Sequence, residues 1–283
     1  YTEVQGVTSN SSYSYLLPSM DAKLELTDNL ILRFDASRTL TRPSLALLNP
    51  VLNVGNGQRI GALSASGGNP DLKPYLADNF DIGAEWYYKR NSYLSVGFFL
   101  KNVSNFVVGG VTRQTINGLV DPTTGQLASF AVTQQVNGPD ATVRGVELAW
   151  QQVFGDTGFG FAASYTKVDG NVNVDPYADP TVNIFALTGL GDSANGTLIY
   201  DKGGLSARVA YNWRAKYLQA TNQGDGRNPL FTAAFGTLDA NISYDVNDHI
   251  ALSLEAINLT SESVRQYGRT KENLVFAQEL KPR

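Results

Sequence analysis

Gly236–Leu259 reads GTLDANISYDVNDHIALSLEAINL. Leu238, Ala240, Ile242, Tyr244 and Val246 alternate with Asp239, Asn241, Ser243 and Asp245. After the two-residue turn Asn247-Asp248 the pattern resumes, with Ile250, Leu252, Leu254 and Ala256 against Ala251, Ser253 and Glu255. Successive side chains of a strand point to opposite faces, so both strands of this hairpin have one greasy and one mostly polar face. A tilted strand of about ten residues is also long enough to cross a bilayer.

The rest of the chain repeats this hairpin with unequal connections. Tyr15–Thr27 and Leu30–Ser37 flank the turn Asp28-Asn29, and a long Gly-, Asn- and Pro-rich loop follows from Leu40 to Leu76. In the next strand Phe80, Ile82, Ala84, Trp86 and Tyr88 oppose Asn79, Asp81, Gly83, Glu85 and Tyr87. It turns at Lys89-Arg90-Asn91 and returns as Tyr93–Lys101. A second excursion, Asn102–Asp140, holds a hairpin of its own around Phe106–Thr115 and Ala128–Val136. Val146–Gln151 and Phe159–Thr166 are joined by the turn Phe154–Gly158, and a third loop covers Asp169–Gly191. Ser193–Asp201 and Leu205–Arg214 are joined at Lys202-Gly203-Gly204. Loops at Lys216–Ala234 and Thr260–Asn273 flank the opening hairpin, and Leu274–Ala277 supplies a last strand.

These runs make about eleven strands whose connections alternate between short and long, the asymmetry of an outer-membrane barrel with short periplasmic turns and long outer loops. Trp86, Tyr87, Tyr88, Phe159 and Phe161 lie at the short-turn end, and Tyr211, Trp213 and Tyr217 at the other, as two interfacial aromatic girdles require. Arg33, Asp35, Asp81, Glu85, Glu147, Arg208, Asp239 and Glu255 stand mid-strand on the polar face, which suits a wet lumen. The fold expected is all-β: part of a transmembrane antiparallel barrel.

Composition narrows the function. No Cys is present, which removes disulfides, cysteine-zinc sites and thiol nucleophiles, and the single His249 leaves no histidine cluster or ordinary triad. A net charge of −4 speaks against a nucleic-acid partner. No apolar run reaches the 18 or more residues of a membrane helix, which says nothing about a barrel. The Asp-rich segments lack calcium-loop spacing, so neither a metal nor a cofactor is expected. Asp239 and Glu255 are the carboxylate pair nearest to glycosidase chemistry, but hydrated lumen charges explain them better, and no catalytic residue or enzyme activity is expected.

Several stretches resemble one family, the TonB-dependent outer-membrane receptors. They are Ser37-Arg-Thr-Leu-Thr-Arg-Pro43, Gly68-Asn-Pro-Asp-Leu-Lys-Pro74 and Asp78-Asn-Phe-Asp81 with Glu85-Trp-Tyr87. Lys101-Asn-Val-Ser-Asn-Phe106, Arg144-Gly-Val-Glu147 and Ala256-Ile-Asn-Leu-Thr260 continue the series in order. The resemblance implies a barrel of about 22 strands around a plug. Residues 1–283 are then the C-terminal part of that barrel, without plug, TonB box, first half or final strand. A half barrel leaves two open edges whose unpaired backbone groups cost several kcal/mol each in lipid, so the rest of the barrel or a partner must close it.

The same resemblance implies active import of a scarce ligand, powered by the TonB–ExbB–ExbD system through the plug, in the outer membrane of a Gram-negative bacterium. Outer-membrane lipid and a surface lipoprotein lid are further partners it suggests. With Gln266-Tyr-Gly-Arg269, the likeness is nearest to Caulobacter- and Xanthomonas-like receptors, many associated with oligosaccharide uptake and others with iron chelates; the oligosaccharide is the expected ligand. A passive porin or a surface-binding barrel is the alternative of another class. Sugar sites combine aromatic platforms with Asp, Asn and Arg, so the ligand-contact candidates are Arg42, Asn69, Asp71, Tyr217, Asn222, Asp225, Arg227, Arg265 and Tyr267.

Overall fold

The computed structural model describes residues 8–54, 63–121, 123–177, 185–223, 228–272 and 274–280. In chain order the strands are β1 (Ser19–Thr27), β2 (Leu30–Thr41), β3 (Leu52–Val54), β4 (Ser64–Gly67), β5 (Tyr75–Lys89) and β6 (Ser92–Ser104). Next come β7 (Val107–Val120), β8 (Leu127–Asn137), β9 (Ala141–Val153), β10 (Phe159–Gly170), β11 (Ser193–Lys202) and β12 (Leu205–Arg214). The last six are β13 (Tyr217–Gln223), β14 (Asn228–Thr232), β15 (Phe235–Asn247), β16 (Ile250–Ala256), β17 (Val264–Arg269) and β18 (Leu274–Leu280).

Ten of them form one antiparallel sheet in the order β1-β2-β5-β6-β9-β10-β11-β12-β15-β16. Its register keeps the two chemistries apart. Phe161 stands opposite Leu198, Leu198 opposite Val209, and Val209 opposite Ala240. On the other face Ile199 opposes Arg208, Arg208 opposes Asn241, and Asn241 opposes Glu255. A slip of one residue at any pairing would exchange the faces, so the alternation itself specifies the register. Leu198, Leu252 and Leu254 on the apolar face are 66%, 63% and 69% exposed, with no layer of described residues over them. An apolar sheet face of this extent needs a non-aqueous neighbour.

The five hairpins of this sheet close through short turns, and the connections β2–β5, β6–β9, β10–β11 and β12–β15 at the opposite strand ends are all long. Gly203 and Gly204 both have positive φ (64° and 78°), as the tight turn that matches strand twist demands. At the short-turn end Trp150 Nε1 donates to the Tyr88 hydroxyl (2.9 Å), which donates in turn to Gln152 Oε1 (2.7 Å). Trp150 and Phe161 meet edge to face at 4.7 Å, and Phe159 lies 4.7 Å from Tyr200. This is the aromatic belt expected there, built from rings with polar handles.

Three stretches read as loops contain strands. Leu40–Leu76 holds β3 and β4, Lys216–Ala234 holds β13 and β14, and Thr260–Asn273 holds β17. The eleventh strand, at Leu274–Ala277, does not extend the large sheet; as β18 it pairs with β17.

The chain forms two compact units. The first comprises Tyr1–Pro18, Arg38–Asp78 and Val103–Asp140. Its four-stranded sheet, β3-β4-β8-β7, includes one parallel pair, β4 with β8, and closes over Ala65, Ala128, Phe130 and Val132. The second comprises Ser19–Ser37, Asn79–Asn102 and Ala141–Arg283. Its own small sheet, β13-β14-β17-β18, closes over Ala186, Leu218, Phe231 and Tyr267.

Candidate functional site

The polar face of the large sheet carries paired charges within the second unit. Arg33 grips Glu85 with Nε and Nη2 (2.9 and 3.3 Å), and the Tyr87 hydroxyl donates to the same carboxylate (3.0 Å). A concavity of about 420 Å³ beside this pair is lined by Asp21, Arg33, Asp35, Asp81, Phe99 and Glu147. A Cβ at Gly145 would strike the Phe99 ring and the Lys167 carbonyl, which explains the glycine of Arg144-Gly-Val-Glu147. Asp239 accepts from Asn212 Nδ2 (3.3 Å) and from the Asn258 N–H (2.8 Å), while Glu255 stands opposite Asn241. Asn258, at φ 53°, ties its amide to both backbone groups of Glu262 (2.9 Å each). The Ala256–Thr260 motif therefore ends the sheet, and Asp239 serves that end.

In the first unit the Gly68–Pro74 motif is a stitched turn. Asn69 Oδ1 accepts from the Asp71 N–H (3.0 Å), and its Nδ2 donates to the Gln135 carbonyl (2.9 Å). Asn137 accepts from the Lys73 N–H (2.9 Å) and donates to the Lys73 and Asn105 carbonyls (3.0 Å each). Leu72 and Pro74 are buried beneath these bonds. Arg38 makes a two-pronged bond to Asp78 (2.6 and 2.8 Å), and the Arg42 guanidinium lies 6.0 Å from the Tyr13 ring.

The small sheet of the second unit is built from rings and cations. Phe231 and Tyr267 stack at 5.6 Å and are 9% and 7% exposed. Lys216 Nζ lies 5.3 Å over Phe231 and Lys271 Nζ 5.9 Å over Tyr267. Arg214 covers Tyr217 at 4.0 Å and donates to the Gly189 carbonyl (2.6 Å). Burial raises the Tyr267 phenol above its ordinary pKa, and the nearby Glu272 carboxylate adds to the rise.

The nine contact candidates thus fall into separate places. Arg42, Asn69 and Asp71 belong to the first unit, with Asn69 engaged in its own turn and Asp71 exposed. Tyr217, Arg265 and Tyr267 come together on the small sheet of the second, where the Arg265 carbonyl accepts from the Ala233 N–H (2.9 Å). The backbone of Asn222 belongs to β13; Asp225 and Arg227 lie outside the described residues. Phe231, Lys216 and Lys271 carry no motif that the sequence reading could use. Asn228–Thr232, inside the stretch Lys216–Ala234 read as a loop, forms β14.

An antiparallel wall with a bare apolar face, a charged inner face and all its long connections at one end defines a piece of an outer-membrane barrel. Residues 1–259 match the family model described as TonB dependent receptor-like, beta-barrel, and the chain belongs to that family. Its members are proteins of the Gram-negative outer membrane, and so is this one. The G324V mutant of the ferric enterobactin receptor PfeA from Pseudomonas aeruginosa shares the fold with a TM-score of 0.66 at 20% identity, covering 87% of this chain and 35% of that one. For the siderophore receptor PirA from Acinetobacter baumannii the values are 0.62, 19%, 87% and 37%. For the copper transporter OprC they are 0.58, 18%, 92% and 36%. The likeness at these identities is one of fold, and the chain spans little more than a third of each of these structures. No curated protein matches the chain in sequence.

Proposed function

We propose that residues 1–283 form the C-terminal wall and outer loops of a receptor that imports a scarce oligosaccharide across the outer membrane. In this reading a plug and further strands, carried on the remainder of the receptor, complete the barrel and couple it to TonB–ExbB–ExbD. The observation that carries it is the pairing of a lipid-suited sheet with two folded loop sheets, since a wall serving only passive diffusion needs no such elaboration. The ligand class follows the likeness of Ser37–Pro43, Gly68–Pro74 and Gln266–Arg269 to receptors many of which are associated with oligosaccharide uptake. A second reading, an anionic metal chelate, is favoured by Arg214, Lys216 and Lys271 around the other small sheet.

Uptake of labelled neutral oligosaccharides by cells with and without the gene, before and after a protonophore, tests the proposal. Gene-dependent uptake that collapses with the proton gradient is expected. Uptake that survives the protonophore points to a porin, and gene-dependent uptake of a ferric chelate alone would move the ligand to the second reading.

A further inference from the structure

The small sheet of the first unit has two faces of different chemistry. Ala65, Phe130 and Val132 on one face close its core. On the other, Asn53 stands opposite Ser66, Ser66 opposite Thr133, and Gln135 opposite Gly109. These residues, with Asn49 and Val51, line a cavity of about 540 Å³, within the range of roughly 300–1,000 Å³ usual for small-molecule sites.

The walls are held in place. Asn69 bonds the Leu47 carbonyl through its N–H (2.6 Å) and the Gln135 carbonyl through its amide (2.9 Å). A Cβ at Gly68 would come within 2.5 Å of the Asn49 carbonyl oxygen and 2.7 Å of that of Leu47, so the close approach of these segments requires glycine. A site whose backbone is fixed beforehand loses less freedom when it binds.

The lining decides the ligand class. The described lining is made of amides, hydroxyls and aliphatic groups, with Asn53, Ser66 and Thr133 open to water. The side chains of Asn53, Ser66, Thr133 and Gln135 make no hydrogen bond to other described residues. Carboxamides offer a donor and an acceptor side by side, and hydroxyls serve as either. Val51, 51% exposed, adds apolar surface for the C–H face of a sugar ring. We propose that this cavity binds a short stretch of a neutral oligosaccharide. The proposal rests on the oligosaccharide reading above and gives it a location.

Gly109 provides the test, because nothing lies within 4 Å of where its Cβ would stand and its φ is outside the positive region. A side chain at 109 starts in open space on the face that Gln135 shares, so Gly109→Phe sets a ring beside the polar groups of the cavity. The detergent-purified receptor carrying this chain is titrated calorimetrically with neutral hexasaccharides of α-1,4-glucose, β-1,4-glucose and β-1,4-xylose. At least one is expected to bind, with affinity falling more than about tenfold in Gly109→Phe and about tenfold in Asn53→Ala and Gln135→Ala, while circular dichroism stays unchanged. Equal affinity in wild type and Gly109→Phe, or no binding of any of the three, overturns the proposal. Protonophore-sensitive sugar uptake together with binding indifferent to Gly109→Phe removes this cavity and leaves the import reading; uptake that does not depend on the gene removes both.

Discussion

In the first unit the β3-β4-β8-β7 sheet sets an aliphatic core on one face and neutral amides and hydroxyls on the other. In the second, β13-β14-β17-β18 buries two stacked rings and holds lysines over them. The first is drawn from the β2–β5 and β6–β9 connections and the second from the β12–β15 connection and the strands after β16, and they leave different groups available. A sugar platform needs an open ring face, and Phe231 and Tyr267 are nearly fully buried. The amides of the first sheet instead face a cavity with their hydrogen-bonding capacity unspent within the described structure. Phe231 and Tyr267 therefore serve the packing of their sheet, not an open platform.

The strongest way to break this comparison is to remove a ring. Phe231→Ala takes away the partner of Tyr267 and the surface beneath Lys216, and is expected to cost the second sheet about 3–5 kcal/mol. Hydrogen exchange at the Leu230 and Phe231 amides reads this directly; unchanged protection would mean the rings do not hold the sheet.

Asn137→Ala probes the first unit in the same way. It leaves the Lys73 N–H and the Lys73 and Asn105 carbonyls without their partner, at about 1–3 kcal/mol for each group that water cannot reach. Exchange at the Lys73 amide should accelerate, and the second sheet should not respond. Loss of protection in both would contradict the separation drawn here.

Lys271→Ala removes one cation from a ring, worth about 0.5–1 kcal/mol at an exposed position. Salt should shrink this difference, because exposed charges are screened. No comparable salt effect is expected from Asn137→Ala.

The smallest effect concerns pH. The folded pKa of Tyr267 lies above its unfolded value of about 10, so the stability it contributes is complete below that value and is lost as pH rises through the folded pKa. Alkaline unfolding of wild type and Tyr267→Phe should diverge only in that window. Divergence near neutral pH would contradict burial as the cause.

The sequence disclosed the large sheet because ten strands are long and alternate with period two, as Ile250–Ala256 and Leu205–Arg214 illustrate. The loop sheets were hidden for definite reasons. Leu52–Val54 and Ser64–Gly67 have three and four residues, too short for periodicity, and Pro229 disguised a buried strand that pairs through Leu230, Phe231 and Thr232. Leu274–Ala277 was legible as a strand, but its partner β17 was not, so its sheet was misassigned. Tyr217 and Tyr267 became contact candidates by residue type, whereas Asn53 and Gln135, which line the proposed cavity, did not. Their shared face depends on the parallel pairing of Ser66 with Thr133, which no local pattern encodes.

The central claim is that the first unit, through its neutral cavity, selects the ligand. Energised uptake of a labelled neutral hexasaccharide into cells expressing the wild-type, Gly109→Phe or Lys216→Ala/Lys271→Ala receptor measures it most directly. Gly109→Phe is expected to abolish protonophore-sensitive uptake, and the double lysine variant to retain it. Uptake preserved in Gly109→Phe and lost in the lysine variant would contradict it.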